Sequence, residues 1–232
     1  MKKLLILKTG TTFQELKSRQ GDFEDWIVRH CGHPELEPLV VTAYRRYRTP
    51  DLSETLAVII TGSHCMVSDR RPWMLAAQNL LQAIAVSSVP LLGICFGHQL
   101  IAEAFGGRVE DHPAGIEIGS VSIELTADGR QDPLFRDVPE VFESHSAHSQ
   151  HVALLPPESQ LLAANAYEPH QAFRLNGRIW GVQFHPEFDS AVLNAYLAKQ
   201  PEAVRRGRRS AANNYGEKIL TNFIDFALEH NV

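Results

Sequence analysis

Short, wholly apolar runs alternate with segments of helical spacing over the first hundred residues. Leu4–Leu7, Leu56–Ile60 and Val89–Ile94 read as buried strands, and Leu36–Ala43 reads as one more. Between them, Phe13–Arg29 carries Phe13, Leu16, Phe23, Trp26 and Ile27 at mixed helical spacing. Trp73–Val86 places Trp73, Leu75, Ala76, Leu80, Ala83 and Ile84 close to a 3.6-residue period and predicts a helix. His98–Phe105 reads as a helix closed by Gly106-Gly107, because glycine accepts the left-handed conformation at a helix end. Fully apolar strands alternating with helices predict a mostly parallel twisted sheet covered on both faces. The second half differs. Ser120–Leu125 and Gln171–Phe184 alternate as strands do, and Asn176-Gly177 marks a hairpin inside the latter. A small antiparallel portion is therefore expected beside the α/β core. Ala191–Lys199 and Gly216–His230 read as helices. No repeat or linker divides the chain, so residues 1–232 are read as one domain, with a helical elaboration around 189–215.

Composition narrows the function classes. The chain has 22 Lys+Arg against 27 Asp+Glu, a net charge of −5, which disfavours nucleic-acid and membrane binding. The apolar run before Lys8 is too short for a secretory signal, and no run reaches the roughly 18 apolar residues of a membrane span. Only three cysteines are present, Cys31, Cys65 and Cys95, an odd count at wide spacing. That predicts a reducing, cytoplasmic setting and raises the question of whether any thiol serves chemistry.

Gly93-Ile94-Cys95-Phe96-Gly97 answers it first. It has the form Gly-x-Cys-x-Gly between a predicted strand and a predicted helix, the arrangement of a nucleophile elbow. Such a turn exposes the thiol at the carboxyl end of the sheet, beside helix N–H groups that favour thiolate and an oxyanion. A lone cysteine is more often a small buried hydrophobe, and the glycine context reverses that preference. In Phe184-His185-Pro186-Glu187, Pro186 pushes His185 into an extended conformation, so His185 and Glu187 face the same side. They form either a base with its orienting carboxylate or a surface pair beside a turn proline.

Together, Gly93-Ile94-Cys95-Phe96-Gly97-His98-Gln99, Gly181-Val182-Gln183-Phe184-His185-Pro186-Glu187 and Val58-Ile59-Ile60-Thr61-Gly62-Ser63 resemble, in that family's order, the signatures of class I (triad-type) glutamine amidotransferases. Thr61-Gly62-Ser63 and Trp73 are similar to its stand-alone, amidotransferase-like branch. The resemblance implies a flavodoxin-like α/β core and hydrolysis of a γ-glutamyl amide through a Cys95 thioester. It gives His185 the role of base and acid, and Glu187 that of orienter. It assigns the backbone N–H of Phe96, with that of Gly62 or Ser63, to an oxyanion hole, and Gln99 to substrate binding. It also places His145 near the site. No metal or organic cofactor is implied. The implied partners are glutamine or another γ-glutamyl compound, and a synthetase or acceptor subunit.

Three departures from the family pattern widen the expectation. The loop reads Gly62-Ser63-His64 where many members have Gly-Gly-Pro. Ala147 stands where many members carry an aspartate that binds the amino group of glutamine. No synthetase sequence is attached. A γ-glutamyl peptide or conjugate hydrolase with the same triad is the alternative, and a non-catalytic regulatory subunit is a further one. Among weaker signals, His145, His148 and His151 recur every three residues in what reads as a loop, a pocket rim rather than a metal site. Cys65 lies near the oxyanion loop, Cys31 reads as packing, and Arg205–Arg209 is a short basic run in a loop or helix end.

Overall fold

The computed structural model describes residues 2–31, 33, 36–47, 50–205, 208–212 and 215–230. Its centre is a nine-stranded sheet of order β2-β1-β3-β4-β11-β10-β9-β6-β7. These strands are β1 (Lys2–Lys8), β2 (Leu36–Thr42), β3 (Thr55–Ile60), β4 (Leu91–Ile94), β6 (Glu117–Leu125), β7 (Val141–His148), β9 (Gln160–Ala164), β10 (Ala172–Leu175) and β11 (Ile179–Val182). The run β2-β1-β3-β4-β11 is parallel throughout, and the rest pair antiparallel. β5 (Arg108–Asp111) and β8 (Gln150–Leu154) form a separate two-stranded ribbon.

Both faces of the parallel half are covered, and the alternation of a strand shows how. Leu4 and Ile6 of β1, Ala57 and Ile59 of β3, and Leu92 and Ile94 of β4 pack against α2 (Phe23–His30) and α7 (Gly216–His230). Their neighbours Leu5, Leu7, Val58, Ile60 and Leu91 pack on the other side, against α3 (Pro72–Val86) and α4 (Phe96–Ala104). A third cluster joins α1 (Gln14–Gln20), α2 and α5 (Ser190–Ala198) through Leu16, Phe23, Trp26, Phe188, Val192 and Leu193.

Two expectations are corrected. Phe13–Arg29 is two helices, because Gly21 at φ 87° turns the chain and Asp22 then opens α2 with a capping box. A side chain at Gly21 would also lie 2.8 Å from Asp25. The segment holding His145, His148 and His151 is not a loop. It forms β7 and β8, and all three histidines are buried. Beyond α5, a short α6 (Glu202–Arg205) follows, and Arg206 and Gly207 of the basic run lie outside the described residues. Arg208 and Arg209 lie along β6: Ser120 N–H donates to the Arg209 carbonyl (2.8 Å), and the Arg209 guanidinium pairs with Glu143. No helix among the described residues is long and apolar enough to cross a membrane.

Strand β4 and helix α4 approach too closely for a side chain at their crossing. A Cβ on Gly93 would lie 2.4 Å from the Gly97 carbonyl oxygen, and one on Gly97 would lie 2.7 Å from the Ile60 carbonyl oxygen. Backbone atoms cannot move aside as a flexible side chain can. Gly93→Ala is therefore expected to lower the unfolding free energy by about 1–3 kcal/mol, read from urea titrations. An unchanged midpoint would contradict this close approach.

Candidate active site

Cys95 lies at the point where β4 ends and α4 begins, with φ 51° and ψ −101°. This is a left-handed conformation that costs a non-glycine residue energy, and such strain persists only where the surroundings enforce it. The enforcement is visible. Cys95 N–H donates to the Val182 carbonyl (2.8 Å) and Gln99 N–H donates to the Cys95 carbonyl (3.1 Å), so both sides of the residue are tied. Cys95 stands at the N-cap of α4, where the N–H groups of the first turn have no acceptors within the helix.

His185 follows β11, the strand beside β4, and hydrogen-bonds the Cys95 sulfur. Its Nδ1 lies 2.8 Å from Glu187 Oε1. The two residues do share a side, as the Pro186 argument predicts. The ring is stacked on Phe188 (centroids 3.9 Å apart, 17° between planes) and its backbone N–H donates to the His145 carbonyl (2.7 Å). Burial alone would lower the pKa of this imidazole. The charges of Glu187 and of Cys95, with a hydrogen bond to each, outweigh it and hold His185 above its usual range. The site therefore favours a protonated imidazole beside Glu187 and Cys95.

A cavity of about 180 Å³ opens over Cys95. Of the residues singled out in the sequence, Cys95, Ser63, Phe96 and Gln99 line it. Gly62 lies behind: a Cβ there would be 3.0 Å from His185 Cε1, so this glycine leaves room for the imidazole. Gln99 donates through Nε2 to the Gln150 carbonyl (2.8 Å) and to Gln183 Oε1 (2.9 Å). Its amide thus ties α4 to β8 and to the chain beyond β11. Cys65 also reaches the cavity wall, whereas Cys31 is buried elsewhere and burial pushes its thiol up.

His145 does not reach the cavity. It is buried behind His185, with Nε2 2.9 Å from the Ala211 carbonyl. It supports the backbone of His185, and the wall is instead built from the next residues of β7 and β8, Ala147, His148 and Gln150. Both ring nitrogens of His148 face acceptors, the Gln150 carbonyl and Glu117 Oε2, each at 2.9 Å. Glu117 in turn accepts from Ser146, Asn165 and Gln171, and despite burial the contacts with His148, Ser146 and Asn165 hold its carboxyl below the usual range. The opposite wall is aromatic. His64 Nε2 and the Tyr196 hydroxyl lie 2.9 Å apart, and Phe13 packs against both rings. Sequence patterns do not single out Phe13 or Tyr196 for this wall, because they read as apolar positions of two separate helical segments.

Residues 20–201 match the family profile described as glutamine amidotransferase class-I, and the chain belongs to that family. A glutamine amidotransferase-like protein of Schizosaccharomyces pombe is 26% identical across 97% of this chain and 98% of its own length. A glutamine-hydrolysing GMP synthase of Thermosipho melanesiensis is 36% identical over 86% of this chain, which spans only 36% of that relative. A solved glutamine amidotransferase of Thermotoga maritima, 20% identical, superposes over 98% of this chain and 96% of its own with a TM-score of 0.72, a likeness of fold.

His98, next to the elbow, is fully buried against Phe173, and Gly181 leaves it space: a Cβ there would lie 2.6 Å from Nδ1. Burial pushes His98 down to about 3. The folded chain keeps it neutral, while the unfolded chain protonates it near pH 6.5. Its contribution to stability is present above about pH 6.5 and is lost as pH falls toward 3. Replacing it by Asn should flatten the fall of Tm between pH 6.5 and 4 relative to the native chain; an identical slope in both would contradict the buried neutral ring.

Proposed function

We propose that the protein hydrolyses a γ-glutamyl amide with Cys95 as nucleophile, His185 as acid and base, and Glu187 as the carboxylate that orients His185. The observation that carries this reading is His185 hydrogen-bonded to both Cys95 and Glu187, directly beside a left-handed Cys95. The Cys95 sulfur attacks the side-chain amide carbon. The N–H of Phe96, with that of Gly62 or Ser63, receives the oxyanion. His185 passes its proton to the departing nitrogen, which leaves as ammonia, and a γ-glutamyl thioester remains on Cys95. Water then attacks the thioester while His185 takes its proton, and glutamate is released. This chemistry needs a reduced thiol, which fits a cytoplasmic setting. The ammonia would pass to a synthetase or acceptor subunit, a reading supported by the similarity to a glutamine-hydrolysing GMP synthase.

Cys95→Ala should bring ammonia release from glutamine to background. Glu187→Gln should lower kcat by about 10²–10⁴-fold, because the imidazole loses its orienting charge. Full activity in Cys95→Ala would overturn the assignment.

One observation favours a γ-glutamyl conjugate over free glutamine. Ala147 stands on the cavity wall, and no carboxylate is among the described residues that line it. The ammonium of free glutamine therefore lacks a charge-assisted bond worth about 1.5–3 kcal/mol, or roughly 10–150-fold in affinity. Ala147→Asp is expected to raise kcat/KM for free glutamine by at least about tenfold, with no gain for a γ-glutamyl amide whose α-amine is acylated. Equal responses of the two substrates would count against this preference.

A further inference from the structure

One buried cluster lies outside the cavity and has no part in the proposed chemistry. His112 follows β5, His151 lies in β8, and Glu168 lies between β9 and β10. One donor atom from each lies within 4.8 Å of the other two. Their exposures are 8%, 9% and 0%. Glu168 Oε1 accepts the His170 N–H (2.9 Å), but Oε2 has no hydrogen-bond partner and faces His151 Nδ1 at 3.6 Å, itself without a partner.

We propose that His112, His151 and Glu168 form a site for a divalent cation of the zinc type. Two buried polar atoms without hydrogen-bond partners, Glu168 Oε2 and His151 Nδ1, face each other here. A hydrogen bond does not span 3.6 Å. A zinc ion does: bonds of about 2.0–2.2 Å in tetrahedral geometry set neighbouring donors about 3.3–3.6 Å apart.

His112 is already oriented. Its ring stacks on Tyr167 (4.3 Å), Nδ1 accepts from Ala114 N–H (3.1 Å) and Nε2 lies 3.0 Å from the Tyr167 carbonyl. Ligation through Nδ1 would displace the Ala114 N–H bond and keep the Nε2–H bond to the Tyr167 carbonyl, the outer contact that holds a ligating histidine in place. Closing the set around one ion takes a side-chain shift of roughly 1 Å. A nitrogen and oxygen donor set of two histidines and one glutamate suits zinc and its first-row neighbours better than calcium or magnesium. The ion would pin the β5–β8 ribbon to the chain around Glu168. His112 N–H donates to the Ser149 carbonyl (2.8 Å), and Ser149 and Gln150 line the cavity, so the pin would brace the outer wall of the site.

The test uses the full chain carrying Cys95→Ala, which removes the thiol–imidazole pair as a competing zinc ligand. Calorimetric titration with zinc should show one ion per chain, and both Glu168→Gln and His151→Ala should weaken binding by at least tenfold. Cobalt loaded in place of zinc should give the visible bands of a four-coordinate site, without the near-ultraviolet charge-transfer band of a cobalt–sulfur bond. This second reading needs no ligand variant and stands even if a variant fails to fold. Sub-stoichiometric binding, binding undiminished in Glu168→Gln, or a sulfur-to-cobalt band that places the ion on Cys65 or Cys31 would each overturn the proposal.

Discussion

The backbone contact between β4 and α4 constrains everything around it. With hydrogen in place of side chains at Gly93 and Gly97, the helix starts directly against the strand that precedes it, and its first turn lies on the Ile60 carbonyl of β3. The chain must therefore reverse within one residue, and that residue, Cys95, takes a left-handed conformation that its own side chain disfavours. Packing of two hydrophobic layers holds the strain in place: Phe96, Leu100 and Ile101 on the inner face of α4 are buried with Ile60, Leu81 and Phe173. The strain puts the sulfur at the carboxyl edge of the sheet, beside the end of the parallel neighbour β11, which delivers His185.

The polar side of the site depends on a second layer of contacts. His185 is stacked on Phe188, and Phe188 packs on Trp26 and Tyr196, so the ring plane is fixed by helices α2 and α5 rather than by its own loop. Phe23 reaches this cluster from the start of α2, where Asp22 joins buried Lys8 (2.6 Å), Thr11 and the Thr12 N–H. Several donors around Asp22 hold it far below the usual carboxylate range despite its burial. A charged corner beneath the sheet edge thus aligns the aromatic residues that align the imidazole.

The parallel half of the fold was legible because its residues obey a simple rule: apolar runs are strands between two layers. Glycine spacing around Cys95 and the His-Pro-Glu order were legible for a similar reason, since each depends on local backbone geometry alone. The antiparallel half was harder to read. Ser144, His145, Ser146, His148, Gln150 and His151 are buried, yet a pattern of hydrophobic positions counts them as exposed. Their burial is offset by partners far away in sequence, such as Glu117 for Ser146 and His148, and Asp111 for Gln150. No local pattern announces those pairs, so β7 and β8 read as loop. The break at Gly21 had the opposite cause. The apolar spacing of Phe13–Arg29 runs across it, and only the left-handed glycine and the Asp22 cap show that the chain turns.

Acid-quench trapping tests the assignment of Cys95 most directly. The native chain is mixed with a γ-glutamyl substrate for a fraction of one turnover, quenched and digested, and the peptides are mapped by mass spectrometry. The account predicts an added γ-glutamyl group on the peptide that carries Cys95. An adduct on the Cys65 or Cys31 peptide, or turnover with no acylated cysteine at any quench time, would contradict it.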